Sequence, residues 1–252
     1  MAIIIKTPDE LVKMRASAQL AARIRDTLAA KIAPGVTTGE LGDLAFEMMK
    51  AAGAKSAFLG YRGFPGQICT SINAEVVHGI PNHARKIQRG DIVSIDIGVV
   101  LNGFVGDTAT TVMVGVTDPE TIRLVRVSEE ALAAGIKAAR AGNRLGDVSN
   151  AIETVVKKAG FTVVKDFVGH GVGRSLHEEP QIPNYGAAGR GPKLKPGMTL
   201  AIEPMVNMVS SDVDVLEDGW TVLTRDRRPS AHVEHTVAVC DGDAEILTLT
   251  QK

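Results

Sequence analysis

The chain has 252 residues, 44% of them hydrophobic and 23% charged, with a formal net charge of -1. These proportions describe a soluble globular protein with room for a substantial core, and a near-neutral charge without a Lys/Arg run excludes bulk affinity for nucleic acid or an anionic membrane. No apolar run approaches the ~20 residues of a membrane span, the start MAIIIKTPDE has no signal-peptide pattern, and Cys69 and Cys240 make no disulfide framework, so a cytoplasmic protein is expected.

Thr7-Pro8-Asp9-Glu10 combines a capping residue, a proline at the first helical position and a glutamate closing a capping box. A helix should follow, burying Leu11, Met14, Ala18, Ala21 and Leu28, and ending at Pro34-Gly35. Thr37 or Thr38 caps a second helix through Lys50, stopped by Gly53. Residues 55–66 read as a loop leading to residues 67–73 and then to a hairpin.

The next stretch, residues 90–114, is GDIVSIDIGVVLNGFVGDTATTVMV. Asn102-Gly103, between two runs rich in Val, Ile and Thr, is the dipeptide of a two-residue type I′ hairpin turn. Pairing Leu101 with Phe104 sets Asp107 opposite Gly98, which shares its face with Asp96. The two aspartates then form a diagonal pair with backbones about 7–8 Å apart. Carboxylates that close repel unless one holds a proton or a cation lies between them. Among apolar neighbours they mark a metal or acid–base site.

Asp118-Pro119 opens a third helix through about residue 140, and a fourth runs from about 145 to 158, ended by Gly160. Residues 161–168 and 231–239 read as strands. The second of these puts His232, Glu234 and Thr236 on one face and Val233, Val237 and Val239 on the other.

At an offset of 107 positions the second half repeats the first. Gly35 falls on Gly142, Gly39 on Gly146, Lys50 on Lys157, Gly90 on Gly197 and Ile95 on Ile202. Asp96 falls on Glu203 in the same ungapped register. This pattern is that of a duplicated helix–helix–strand unit, whose pseudo-twofold would draw Asp96 and Glu203 toward one axis. The halves, about 1–115 and 116–252, need each other to bury a core, so one domain over 1–252 is expected.

Gly169-His170-Gly171-Val172-Gly173 precedes Leu176-His177-Glu178-Glu179-Pro180. The glycine spacing is wrong for a dinucleotide fingerprint, and Pro180 interrupts the helix that should follow. His170 and His177, seven residues apart in a glycine-rich loop, are candidate ligands or proton carriers, as is His78 in Val77-His78-Gly79-Ile80-Pro81. His83, His232 and His235 read as structural or surface residues.

The ordered motifs SINAEVVHGIP, SIDIG, GDTATT, GHGVG, HEEP, IEP and EHT resemble those of the type I methionine aminopeptidases over about residues 7–248. The resemblance implies the pita-bread fold, an α/β (α+β) architecture of two pseudo-twofold-related halves around a curved antiparallel sheet. It implies removal of N-terminal methionine from nascent polypeptides. Five metal ligands are implied at Asp96, Asp107, His170, Glu203 and Glu234. Two divalent ions roughly 3.5–4 Å apart would acidify a bridging water into the attacking hydroxide. An oxygen-rich set without thiolate suits Co, Mn, Fe(II) or Zn.

By the same resemblance Glu203 moves the proton as base and then acid, His177 donates to the scissile carbonyl, and His78 contacts the amide nitrogen. Family positions for the methionine pocket match Tyr61, Phe64, Cys69, Phe167, Leu176 and Trp220, with Leu176 where many members carry Phe. The family commonly has glutamate directly after the asparagine of the His78 loop. Here Asn73-Ala74-Glu75 displaces it by one, beside a monovalent-cation site implied near Asn73 and Ser230. Implied partners are peptide or protein N-termini starting with Met and, during translation, the ribosome; a monomer without nucleic-acid or membrane partners is expected. The rivals are another pita-bread hydrolase, a prolidase or an aminopeptidase acting before proline, and a catalytically silent peptide-binding relative. The hydrolases carry a further N-terminal domain, and silent relatives usually lack ligands that are all present here.

Overall fold

The computed structural model describes residues 2–250. Helix α1 (Pro8–Lys31) starts as its capping box requires: Thr7 Oγ1 accepts from the Glu10 amide, and the Glu10 carboxylate accepts from the Thr7 amide. Met14, Ala18, Ala21 and Leu28 are buried along it with Leu20 and Ile24, while Leu11 is half-buried. Helix α2 (Thr38–Ala51) is capped by Thr37, in a second capping box with Glu40. Helix α3 (Pro119–Ala138) begins at its Asp118 cap and ends two residues short of the expected 140. Helix α4 spans Leu145–Lys158.

The first strands are β1 (Lys55–Ser56), β2 (Cys69–Ile72), β3 (Glu75–Val77), β4 (Ile92–Leu101) and β5 (Phe104–Met113). Then come β6 (Thr162–Val163), β7 (Gly169–Gly171), β8 (Glu178–Ile182), β9 (Thr199–Ile202) and β10 (Met205–Asn207). The last are β11 (Val213–Val215), β12 (Val222–Thr224), β13 (Ser230–His232), β14 (Glu234–Ala238) and β15 (Glu245–Ile246). A curled nine-stranded sheet runs β1-β4-β5-β14-β9-β7-β8, with β2 also on β4 and β15 on β14; every pairing is antiparallel. Two three-stranded sheets, β13-β10-β6 and β11-β12-β3, extend it.

The β4–β5 hairpin has the expected register, Leu101 with Phe104 and Gly98 with Asp107. Positive φ at both turn residues, 54° at Asn102 and 76° at Gly103, is the type I′ signature. The duplication is also structural. Helices α2 and α4 begin and end 107 positions apart, as do the starts of β4 and β9 and the bridges Thr37–Lys86 and Arg144–Lys193. Gly35 donates to the Ile87 carbonyl and Gly142 to that of Leu194, with φ of 94° and 93°. Apolar side chains of α1 and α2 pack on one part of the sheet and those of α3 and α4 on another.

Three expectations need correction. The strand over 161–168 shrinks to β6, because its partner β10 starts only at Met205, after Pro204, whose nitrogen has no hydrogen to donate. The strand over 231–239 breaks at Val233, where the chain leaves β13 in one sheet for β14 in the other. The loop over 55–66 contains β1 and a 3-10 turn at Tyr61–Gly63.

Candidate metal centre and its cavity

Register alone brings the acids to one face. Asp96 and Glu234 both pair with Ala109, so β4, β5 and β14 form a row with a small residue between two carboxylates. Asp107 lies two residues before Ala109 and so shares its face. His170 joins from β7, which pairs it with Ala201, itself the partner of Thr236 on β14. Thr236 Oγ1 donates to the Asp107 carbonyl, tying this second row together. Glu203 follows β9 directly, and Asn184 Nδ2 donates to its carbonyl at 3.0 Å.

Asp107 and Glu234 are buried, and Asp96 and Glu203 half-buried. Burial first, and then the other carboxylates, hold all four acids well above the usual carboxylate range. Asp96 Oδ1, Asp107 Oδ1 and Glu234 Oε1 are buried without a hydrogen-bond partner. One ligand atom each from Asp107, His170 and Glu234 lies within 4.8 Å of the others.

His170 shows which charge is wanted. Its Nδ1 lies 2.9 Å from the Gly171 carbonyl, which only accepts, so Nδ1 carries the hydrogen. Nε2 therefore presents a lone pair, 3.4 Å from Glu203 Oε1 and 3.8 Å from Asp107 Oδ2. Burial, then His177, depresses its pKa to about 3, so it is not an imidazolium at neutral pH. A lone pair facing carboxylate oxygens is repulsive unless one acid keeps a proton or a cation lies among them, and hard oxygen donors with one imidazole suit Mn, Fe(II), Co or Zn. The residues fit a divalent metal.

A cavity of ≈ 230 Å³ opens on these groups. It is lined by all six residues expected for a methionine pocket, Tyr61, Phe64, Cys69, Phe167, Leu176 and Trp220. His78, His170, His177, Asp96, Asp107, Glu203 and Glu234 line it as well. His78, held by burial at a pKa of about 4, sits edge-on to Phe167 at 5.5 Å and to Trp220 at 6.3 Å. His177 Nδ1 is 2.7 Å from the Tyr61 hydroxyl. Glu178 anchors the loop carrying Leu176 and His177: it pairs with buried Lys6 at 2.5 Å and accepts from the Arg174 and Ser175 amides. The Cys69 thiol is pushed up by burial and by Asp96, so it stays protonated and makes no ligand.

Sequence reasoning missed Phe58 and Arg62 in the lining and His232 beside Glu203. Gly98 carries the signal for Phe58: a Cβ there would fall 2.4 Å from the ring, so only glycine lets it in. His232, read as structural or surface, is buried with Nε2 3.5 Å from Glu203 Oε2. The displaced Glu75 is held by Arg85 at 2.6 Å and by the Ile72 amide. Asn73 accepts from the Ser230 amide through its carbonyl and from the Ile92 amide through its side chain. A larger open groove of ≈ 650 Å³ lies elsewhere, beside Arg25, Leu132, His235 and Ile246. Arg25 there is already engaged by Thr108, Thr248 and Asp26, and His235 by Thr248.

The family model for metallopeptidase family M24 matches residues 12–241. "Methionine aminopeptidase 1" of Bacillus subtilis is 49% identical over 246 residues, covering 98% of this chain and 99% of the relative. A crystal structure of methionine aminopeptidase from Thermotoga maritima superposes with a TM-score of 0.97 at 47% identity, covering 99% and 100%. A prolidase structure from Pyrococcus horikoshii shares the fold at a TM-score of 0.80 and 21% identity, but only 64% of that longer chain is covered. The chain belongs to metallopeptidase family M24, among the methionine aminopeptidases, whose full length it matches.

Proposed function

We propose that the cavity removes the N-terminal methionine from polypeptides, with Asp96, Asp107, His170, Glu203 and Glu234 holding two divalent ions. The observation that carries the metal reading is the set of buried carboxylate oxygens without a partner, in one cluster with His170, whose ring hydrogen is on Nδ1. Divalent ions there would polarise the scissile carbonyl and lower the pKa of a water. The chain's own groups do the rest. Glu203 takes a proton from the attacking water and returns it to the leaving amine. With the Tyr61 hydroxyl donating to Nδ1 of His177, its Nε2–H is free to donate to the carbonyl oxygen as charge builds there. His78 meets the scissile amide nitrogen, and the carboxylates accept the free α-amine. Phe64, Phe167, Leu176 and Trp220 enclose the thioether side chain, as the aromatic and apolar lining suits.

Two free cysteines support a reducing compartment, and the reading extends to nascent chains in the cytoplasm, met by a monomer with or without the ribosome. No helix among the described residues is long and apolar enough to cross a membrane. A monovalent cation beside Asn73 and Ser230 is part of the same reading; Asn207, the register partner of Ser230, has a buried Oδ1 without a donor.

The test is cleavage of Met-Ala-Ser against Ala-Pro-Ser. Chelation should stop release of methionine, and Mn(II) or Co(II) should restore it without a change in far-UV circular dichroism. Cleavage of the proline peptide alone would replace this reading with that of an aminopeptidase acting before proline. His78→Ala should leave metal binding by calorimetry unchanged and lower kcat about 10²–10⁴-fold; loss of metal instead would move His78 into the ligand set.

A further inference from the structure

We infer that His232 is a positioning residue for Glu203: its Nε2–H holds the Oε2 carboxylate oxygen, setting the angle at which Glu203 meets cation and substrate water. This rests on the proposed role of Glu203. The imidazole is 2% exposed and does not line the cavity, so it touches no substrate from where it stands. Its Nε2 is a buried polar atom without a hydrogen-bond partner, and Glu203 Oε2 lies 3.5 Å away. Buried polar atoms are rarely left unpaired, because each then loses its hydration with nothing to replace it. Catalytic contacts that are long in an empty site commonly tighten when the site fills.

The backbone of His232 is fixed from two sides. Its amide donates to Thr111 Oγ1 at 3.2 Å and its carbonyl accepts from the same hydroxyl at 2.7 Å. Across the small sheet it pairs with Met205, two residues beyond Glu203. The break at Val233 lets His232 point at Glu203 while Glu234 faces the metal cluster.

Glu203 thus stands between two imidazoles with opposite hydrogen-bonding roles. Nε2 of His170 presents a lone pair to Oε1, since its Nδ1 donates to Gly171. Nε2 of His232 faces Oε2, and when Glu203 is ionised, as a cation at Oε1 would keep it, that oxygen only accepts and the hydrogen belongs on Nε2. One oxygen is left to the cation and the other is held by the protein. Partners that orient a ligand in this way are worth 10–100-fold in metal affinity or activity.

The test compares the parent with His232→Gln, which keeps a side-chain N–H, and His232→Leu, which keeps bulk only. Calorimetric titration of each metal-free protein with Mn(II) should show affinity 10–100-fold weaker in His232→Leu and near the parent's in His232→Gln, with kcat following and KM unmoved. In the Zn-loaded parent, 15N spectra of labelled histidine, assigned by the signal missing from His232→Gln, should show His232 neutral and protonated at Nε2. A bare Nε2 would overturn the inference, as would equal loss in both variants or no loss in His232→Leu. Should His232→Leu fail to fold, the spectrum of the parent and the affinity of His232→Gln decide. Met-Ala-Ser cleavage by the parent is measured alongside, so failure of the aminopeptidase reading appears separately from failure of the histidine contact.

Discussion

Asp107→Asn should abolish methionine release and weaken metal binding by more than the roughly 10–100-fold that a lost supporting partner costs. It should also make the metal-free protein more stable. Both effects have one cause. Asp107 is buried, its Oδ1 has no partner, and Asp96 is the acid that most raises its pKa after burial itself. Without a cation, the site holds four carboxyls whose charge the fold does not neutralise. Asparagine keeps the shape and removes one charge, a change of about 1–3 kcal/mol in favour of the metal-free fold. For a chain of this size that is about 2–4 °C in Tm per kcal/mol.

The sign follows from proton linkage. All four acids have native pKa values above their ordinary ones, so the native state binds more protons than the unfolded chain. Their stabilising contribution is complete below about pH 4 and drains away as pH rises toward the native values. His170 and His232 act oppositely: burial lowers both to about 3, so their contribution is present above the ordinary value of about 6.5 and lost as pH falls. Above about pH 6.5 the acids vary, joined near the ordinary thiol range by Cys69, which burial raises in the same direction. There the Tm of the metal-free parent should fall with pH, less steeply in Asp107→Asn, and metal should flatten the curve. A metal-free Tm independent of pH between 7 and about 9 would mean that the acids are not held in this way.

Glu203→Gln should lower kcat by about 10²–10⁴ at saturating metal, the range for removing a general acid–base group. Glutamine can still offer an oxygen to a cation and an amide to His170, but it cannot carry a proton. The loss should fall on kcat more than on KM, because no lining residue that encloses the methionine side chain is altered. If added metal restores full turnover, Glu203 is only a ligand and proton transfer belongs elsewhere in the cavity.

Features that depend on near neighbours were legible in the sequence. The Thr7–Glu10 capping box, the Asn102-Gly103 turn and the hairpin register are local geometry, and they carried Asp96 and Asp107 onto one face before any tertiary contact was known. The 107-residue repeat extended this to Glu203, since a duplicated unit reuses its register. The roles of His170, Glu234, His177 and His78, and the pocket residues, came from resemblance, because nothing local distinguishes a ligating histidine from a packed one.

What composition, caps, turn and repeat determined by themselves is the four helices, the β4–β5 hairpin and the pairing of two acids across it. The tertiary structure alone decided that Glu234 completes the row through Ala109, that the strand around it breaks at Val233, and that Gly98 admits Phe58 to the cavity. It also decided that His232 faces Glu203 rather than solvent. The reason is physical: strand alternation is set residue by residue along the chain, whereas which strands become neighbours is set by how the two halves bury their apolar faces together. His170, Glu203 and Glu234 meet Asp96 and Asp107 only because β14 pairs with β5 on one side and β9 on the other.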